Sequence, residues 1–252
     1  MFRPRIIPVL LLRQKGLVKT IKFNKFKYIG DPINAVRIFN DLEADELIFL
    51  DILASSEKRT ISVDLVKQIG DEAYMPFGVG GGISTVADAM QLFNAGAEKV
   101  ILNTQAFYNP RLIESIADLA GSQSVVVSID VKKNWLGRHQ VFIKGGKEKT
   151  DISPVGFAKR SADAGAGEII INSIDKDGLM DGYDLEIIRE ISEMVNIPVI
   201  ACGGAGSLAD LKKAHEAGAH AVAAGSMFVF HGPRNAVLVN YPEKQELINT
   251  FN

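Results

Sequence analysis

The sequence predicts an α/β fold, a single (β/α)₈ TIM barrel spanning residues 1–252 and built from two duplicated half-barrels, about 1–122 and 123–252. Eight short apolar segments alternate with segments whose apolar residues have helical spacing. The length of 252 residues is typical of one such barrel, although it would also fit two ordinary domains. Shifting the chain by 122 residues aligns 81–104 with 203–226 at 8 identities in 24 positions, which indicates an internal repeat.

The predicted strands are apolar throughout, as expected for a parallel sheet covered by helices on its outer face. In chain order they are RIIPVLLL, ELIFLDI, PFGVGG, KVILN, SVVVSID, EIIINSI, PVIACGG and AVAAGS. Helical spacing is found in DPINAVRIFNDLEA, TVADAMQLFNAGA, NPRLIESIADLAG, SPVGFAKRSADAGA, YDLEIIREISEMV and LADLKKAHEAGA. Two equal halves favour a closed barrel, because an open doubly wound sheet needs no duplication.

The composition argues against several classes of protein. A formal net charge of -2 gives no basic excess that would indicate a nucleic-acid or membrane partner. Cys202 is the single cysteine, so no internal disulfide forms, and the apolar N-terminal run is too short for a signal peptide or a membrane span. We therefore expect a cytoplasmic protein. No metal site and no cofactor are predicted, because the histidines lack metal-ligand spacing; they are His139, His215, His220 and His231.

Two glycine clusters end the third and seventh predicted strands. They are VGGGIS at 79–84 and CGGAGS at 202–207, and each precedes a helix, so backbone N-H groups can bind an anion there. Tight turns without a ligand are the alternative. The clusters are related by the repeat, and each is followed one strand later by a polar pair, at 103–104 and 225–226. This duplication favours two phosphate sites, and hence a substrate with a phosphate at each end.

Aspartates follow several predicted strands and are candidates for proton transfer. Asp130 ends an apolar run, so we expect it at the rim of the barrel interior, where burial shifts the pKa of a carboxyl group. Aspartates that begin loops, such as Asp51, Asp175 and Asp177, are commonly helix caps or turn formers. The first predicted strand is the counterpart of the fifth in the other half, so we expect an equivalent polar group at its end, where this chain has Leu11.

With these features the chain resembles the cyclase subunit of imidazole glycerol phosphate synthase, a (β/α)₈ enzyme of histidine biosynthesis that works with a glutaminase subunit. The resemblance covers nearly the whole chain and depends on RIIP, GDP, DELIFLDI, VGGGI, GSQSVVVSID, SIDKDG and GGAG. It implies a bis-phosphorylated substrate held from two sides. The implied phosphate-binding residues are Gly81, Gly82, Asn103 and Thr104 on one side, and Asp177, Gly178, Gly203, Gly204, Gly225 and Ser226 on the other.

The resemblance also implies that ammonia from the glutaminase enters the barrel floor through four charged residues, Arg5, Glu46, Lys99 and Glu168. A buried ring of charges is costly to desolvate, and an apolar plug would usually be as stable. The ring therefore favours a gate or a docking face. Glu98 would be available to pair with a basic residue of the glutaminase.

The catalytic residues that the resemblance implies are Asp130 and Lys19, the latter from a lysine-rich first loop that could act as a lid. The second aspartate of the family corresponds to Leu11, which cannot transfer a proton. Losing a general acid or base costs on the order of 10²- to 10⁴-fold in rate. Asp51 and Asp177 are the candidate substitutes. Trp135, in the loop after Asp130, would either stack on an imidazole ring or cover the lid.

Several interpretations of Leu11 stay open. The chain could still be a cyclase whose products are imidazole glycerol phosphate and aminoimidazole carboxamide ribonucleotide. It also resembles the paralogous branch found with surface-polysaccharide genes, in which the barrel and a glutaminase feed ammonia to a separate sugar amidotransferase. A third interpretation is an inactive scaffold that only activates its glutaminase. The related single-chain isomerase of the same pathway shares both phosphate sites but has no use for the four floor charges.

Overall fold

The computed structural model describes residues 3–232 and 234–251. Eight parallel strands form a closed barrel in chain order, with the last strand paired to the first, which confirms the predicted fold. Each predicted strand segment is found. The strands are β1 Arg5–Arg13, β2 Leu47–Asp51, β3 Phe77–Gly80, β4 Lys99–Leu102, β5 Val125–Lys133, β6 Glu168–Ser173, β7 Val199–Cys202 and β8 Ala221–Ala224.

Helices cover the outer face of the barrel. They are α1 Pro32–Asp41, α2 Val63–Glu72, α3 Val86–Asn94, α4 Thr104–Tyr108, α5 Arg111–Ala120, α6 Pro154–Asp163, α7 Leu185–Ser192, α8 Leu208–Glu216 and α9 Lys244–Phe251. The 122-residue repeat is visible in their starts: α1 and α6, α2 and α7, and α3 and α8 begin at equivalent positions. The caps repeat as well, since Thr85 accepts from the Asp88 N-H and Ser207 from the Asp210 N-H.

Two antiparallel hairpins extend from the carboxyl ends of the strands. The first, named here hairpin 1, consists of Gly16–Ile21 and Asn24–Gly30 and pairs with β1 at Leu11 and Val18. The second, hairpin 2, consists of His139–Ile143 and Glu148–Lys149 and pairs with β5. The two approach each other where Gly146 lies against the Phe23 ring; a Cβ on Gly146 would be 3.0 Å from Phe23 Cδ2. The first loop is therefore folded over the barrel mouth.

The core has two separate parts. The larger part lies between the strands and the helices and contains large buried side chains such as Phe39, Phe49 and Phe157. The smaller part fills the lumen inside the barrel. It is formed by Ile7, Val9, Ile48, Ile101, Val126, Ile170, Ile200, Ala221 and Ala223. Among the described residues, no helix is long and apolar enough to cross a lipid bilayer.

Candidate functional site at the two ends of the barrel lumen

Four charged side chains close the amino-terminal end of the lumen. Arg5 donates to both Glu46 and Glu168, and Lys99 Nζ lies 2.9 Å from Glu46 Oε1 and 3.0 Å from Glu168 Oε2. Each cation thus contacts both anions, and the charges alternate around the ring. Glu46 and Glu168 are buried, at 2% and 8% exposure. Because every charge has two partners of opposite sign, the ring is stable in this position while it keeps polar atoms at the floor of an apolar lumen.

Above this floor the lining of the lumen is mainly apolar as far as its carboxyl end, apart from the buried Ser128 on β5. Inward-facing residues alternate along each strand, so β1 contributes Ile7, Val9 and Leu11 in successive layers. Leu11, Leu50 and Cys202 form the uppermost apolar layer. Such a lining suits a small neutral molecule better than an ion, because an unpaired charge is expensive to desolvate.

Asp130 stands at the carboxyl end of the lumen on the β5 side. Its Oδ1 accepts from Asn172 Nδ2 at 3.3 Å, and its Oδ2 accepts from Asn103 Nδ2 at 3.2 Å. Burial raises the pKa of the Asp130 carboxyl to about 7, and the charge of Asp177 adds to this, whereas the two amide hydrogen bonds oppose it. A carboxyl group with this pKa can both donate and accept a proton near neutral pH.

Lys19 reaches the same end of the lumen from hairpin 1. It is buried at 5% exposure, and its Nζ donates to the backbone carbonyl of Val9. Burial lowers the pKa of the Lys19 ammonium to about 8, against the attraction of Asp177. Its Nζ lies against Gly225, where an added Cβ would be only 2.3 Å away. The structure therefore places the Lys19 amine between the lumen and Gly225, at the start of the polar pair 225–226.

Asp51, one of the two candidate substitute acids, is fully engaged in local structure. Its Oδ1 accepts the N-H groups of Leu53 and Ala54 at 3.0 and 3.1 Å, and its Oδ2 lies 2.6 Å from Arg59 Nη1. Both carboxylate oxygens are thus occupied by two backbone donors and a guanidinium. These contacts favour a capping role for Asp51.

Asp177, the other candidate, contacts hairpin 1. Its Oδ2 accepts the Thr20 hydroxyl at 2.7 Å and the Phe23 N-H at 3.0 Å. Burial raises the pKa of the Asp177 carboxyl, while these two hydrogen bonds and the charge of Lys19 act against it. Gly178 also lies against this hairpin, since a Cβ there would be 2.1 Å from the Thr20 carbonyl oxygen.

The first predicted phosphate cradle follows β3. Gly81 and Gly82 have φ values of +131° and +67°, and a Cβ on Gly82 would lie 1.8 Å from the Arg59 carbonyl oxygen. Across from it, Asn103 donates to the Ser128 carbonyl at 2.9 Å in addition to Asp130. The Thr104 hydroxyl accepts the Lys144 N-H of hairpin 2 at 3.0 Å. Asn103 thus supports Asp130 directly, a role that the sequence did not indicate.

The second cradle follows β7 and has the same backbone form. Gly203 and Gly204 have φ values of +88° and +114°, and a Cβ on Gly204 would lie 2.2 Å from the Gly182 carbonyl oxygen. Gly225 and the buried Ser226 begin a short 3₁₀ turn, Ser226–Phe228. Both clusters therefore require glycine for steric reasons, whether or not an anion binds.

Outside the lumen, one group of described residues could hold a metal ion: His139, Asp184 and Glu186. His139 Nε2 lies 2.9 Å from Asp184 Oδ2, and the Lys133 ammonium lies 2.8 Å from Glu186 Oε2. The lysine thus supplies a positive charge at this position. Trp135, in the turn between β5 and hairpin 2, is 90% exposed.

Sequence analysis missed three residues that shape the mouth: Asn172, Arg59 and Thr20. Asn172 could have been found, because it continues the inward alternation of Glu168 and Ile170 on β6. Arg59 and Thr20 lie in connecting segments and reach the site through the fold, so no periodic pattern indicates them.

Comparisons with known proteins identify the family to which this chain belongs. The family described as histidine biosynthesis protein matches residues 5–233. A Pseudomonas aeruginosa protein provisionally named imidazole glycerol phosphate synthase subunit hisF2 is 50% identical over 248 residues, 98% of this chain and 99% of the relative. A provisionally named HisF subunit from Leptospira interrogans is 49% identical over 248 residues, 98% of each chain. The imidazole glycerol phosphate synthase subunit HisF of Alkaliphilus metalliredigens is 47% identical over 232 residues, 92% of each chain.

Proposed function

Since the chain belongs to the histidine biosynthesis protein family, we propose that it is a cyclase-type synthase subunit that receives ammonia from a glutaminase and acts on a bis-phosphorylated small molecule in the cytoplasm. The observation that carries this proposal is the order of groups along the barrel axis: the ring of Arg5, Glu46, Lys99 and Glu168, then the mainly apolar lumen, then Asp130. A mainly apolar lumen with its charged groups at the two ends fits the passage of neutral ammonia.

The glutaminase would dock on the amino-terminal face of the barrel. Beside Lys99, an open groove of about 420 Å³ is lined by Met90, Phe93 and Glu98 among others. An apolar groove with an exposed carboxylate at its edge has the composition of a protein interface. Glu98 would pair there with a basic residue of the partner.

At the carboxyl end, the two glycine clusters would bind one phosphate each, because their bare backbone leaves N-H groups accessible to an anion. Asp130 would then transfer protons to and from the ring that closes, since the pKa of its carboxyl is raised to about 7. Lys19, with a pKa lowered to about 8, would assist as a second proton-exchanging group.

Leu11 supports a second candidate function, ammonia delivery to a separate sugar amidotransferase. Leu11 extends the apolar lining to the mouth, and the engaged carboxylate of Asp51 offers no replacement acid. A barrel that only conducts ammonia needs no acid and base pair. In this candidate the glycine clusters would serve the fold alone.

Turnover of the bis-phosphorylated imidazole intermediate with excess ammonium salt at mildly basic pH separates the two. We expect the natural chain to turn over measurably if it is a cyclase, with Asp130→Asn losing about 10²- to 10⁴-fold. No turnover by the natural chain, with activity appearing in Leu11→Asp, would favour ammonia delivery. No turnover by either protein would contradict the cyclase proposal altogether.

A further inference from the structure

Hairpin 1 contacts the barrel mouth at Asp177. Asp177 accepts three hydrogen bonds from residues at the turn of this hairpin. The Asp177 carboxylate accepts from the Thr20 hydroxyl at 2.7 Å and from the Phe23 N-H at 3.0 Å. The Asp177 carbonyl accepts from the Lys22 N-H at 3.0 Å. Gly178, at φ +72°, brings its backbone against the Thr20 carbonyl. The turn of the hairpin is therefore fixed by the loop after β6, 157 positions away in sequence from Thr20.

The backbone of this turn is in a conformation that L side chains rarely adopt. Lys22, Phe23 and Lys25 have φ values of +51°, +59° and +45°, and none of them is glycine. Such a conformation persists only where surrounding contacts determine it. Two of these three residues donate their backbone N-H groups to Asp177, so Asp177 supplies contacts that hold the strained turn.

The residue before Thr20 is Lys19, the one side chain of hairpin 1 that enters the lumen opening. Its Nζ bonds to the Val9 carbonyl and lies against Gly225. Val9 lines the lumen, and β8 ends at Ala224, which pairs with Pro8. The Lys19 amine therefore lies at the carboxyl end of β8, between the lumen and Gly225.

We propose that Asp177 and Thr20 are positioning residues that hold hairpin 1 so that the Lys19 amine is inserted at the outlet of the lumen. The Asp177 carboxylate performs this role through its Oδ2 atom, which accepts from both Thr20 and Phe23. The description of the outlet as an ammonia outlet rests on the proposed function; the positioning itself does not. Ammonia leaving the lumen would meet the Lys19 amine first, and passage would require this side chain to move.

The accessibility of the Lys19 amine to a small acylating reagent tests the proposal on the purified chain alone. Labelling with limiting acetic anhydride at pH 8, quantified by peptide mass spectrometry, should be slow at Lys19 in the natural chain. Thr20→Val keeps the side-chain shape and removes the donor, so we expect the Lys19 labelling rate, divided by the fraction of neutral amine at that pH, to rise at least 10-fold. Thr20→Ser retains a hydroxyl and should restore the slow rate. Lys67, exposed on α2, gives the reference rate in every sample.

The matched control is Asp181→Ala, in the same loop, because Asp181 is paired only with Lys176 at 3.1 Å in the described residues and does not contact hairpin 1. It should leave Lys19 labelling unchanged, whereas Asp177→Ala should accelerate it. The pH dependence of the rate gives a second readout: the pKa of Lys19 should rise from about 8 toward its ordinary value in Thr20→Val.

An unchanged Lys19 rate and an unchanged Lys19 pKa in Thr20→Val would overturn the proposal, whatever the fate of Asp177→Ala. If Asp177→Ala fails to fold, the pair Thr20→Val and Thr20→Ser decides alone. Because no partner or substrate is present, a negative result here leaves the cyclase and ammonia-delivery functions untouched, and a failed turnover assay leaves this result untouched.

Discussion

The two halves of the barrel share their framework but differ at the mouth of their first strands. On β5, Val126, Ser128 and Asp130 face the lumen and end in a carboxyl group held by two amides. On β1, the equivalent layers are Ile7, Val9 and Leu11, and the series ends in a packed apolar side chain. Duplication has preserved the backbone geometry of both halves, while a carboxyl group at the end of the first strand remains on only one of them.

The floor shows the same divergence. Glu46 and Glu168 are equivalent in the repeat, but Lys99 of the first half corresponds to Ala221 in the second. One lysine therefore serves both glutamates, with Arg5 as the second cation. The repeat thus determines where side chains point, whereas the charged side chains at the floor are distributed unequally between the two halves.

The two glycine clusters should show the same loss of stability when a glycine in each is replaced by alanine. We expect Gly82→Ala and Gly204→Ala each to lower the free energy of unfolding by about 3–5 kcal/mol, because each adds a Cβ within 1.8 or 2.2 Å of a backbone oxygen at positive φ. Gly145→Ala is the control, since its φ is +66° but no atom lies within 4 Å of the added Cβ. Urea denaturation measures all three. If only one of the two variants lost little stability, the two clusters would not be structurally equivalent.

Much of this fold was readable from the sequence, because buried parallel strands and amphipathic helices have distinct periods and the repeat supplied their register. All eight strands were located in this way. The mouth was less predictable. Asp130 was found because it ends an apolar run, but its amide partner Asn172 and the Thr20 contact to Asp177 depend on how distant loops meet. Such contacts leave no local periodic signal.

Titration of Asp130 sharpens the contrast between the two mouths. Its folded pKa, about 7, lies above the unfolded value, so its contribution to stability is full below pH 4 and is lost as the pH rises through 7. We expect the stability of Asp130→Asn relative to the natural chain to increase by about 3 kcal/mol between pH 4.5 and pH 8.

Leu11→Asn, at the equivalent place on β1, is the matched control for this effect. It removes apolar packing but no titratable group, so its cost should be the same at both pH values. Chemical denaturation at pH 4.5 and pH 8 measures both variants. A pH-independent difference for Asp130→Asn would mean that its carboxyl group is not perturbed in the folded protein.

The smallest expected effect concerns the floor, where Lys99→Ala would make the two halves alike. The variant removes hydrogen bonds of 2.9 and 3.0 Å to Glu46 and Glu168 and leaves Arg5 as the cation of the ring, so we expect a loss of about 1.5–3 kcal/mol in unfolding free energy. In a complex with the glutaminase partner proposed above, the same variant should hydrolyse glutamine while forming less product per ammonia released. Lys67→Ala, on the exposed face of α2, should change neither quantity. Full coupling in Lys99→Ala would show that the ring stabilises the barrel floor without controlling entry to the lumen.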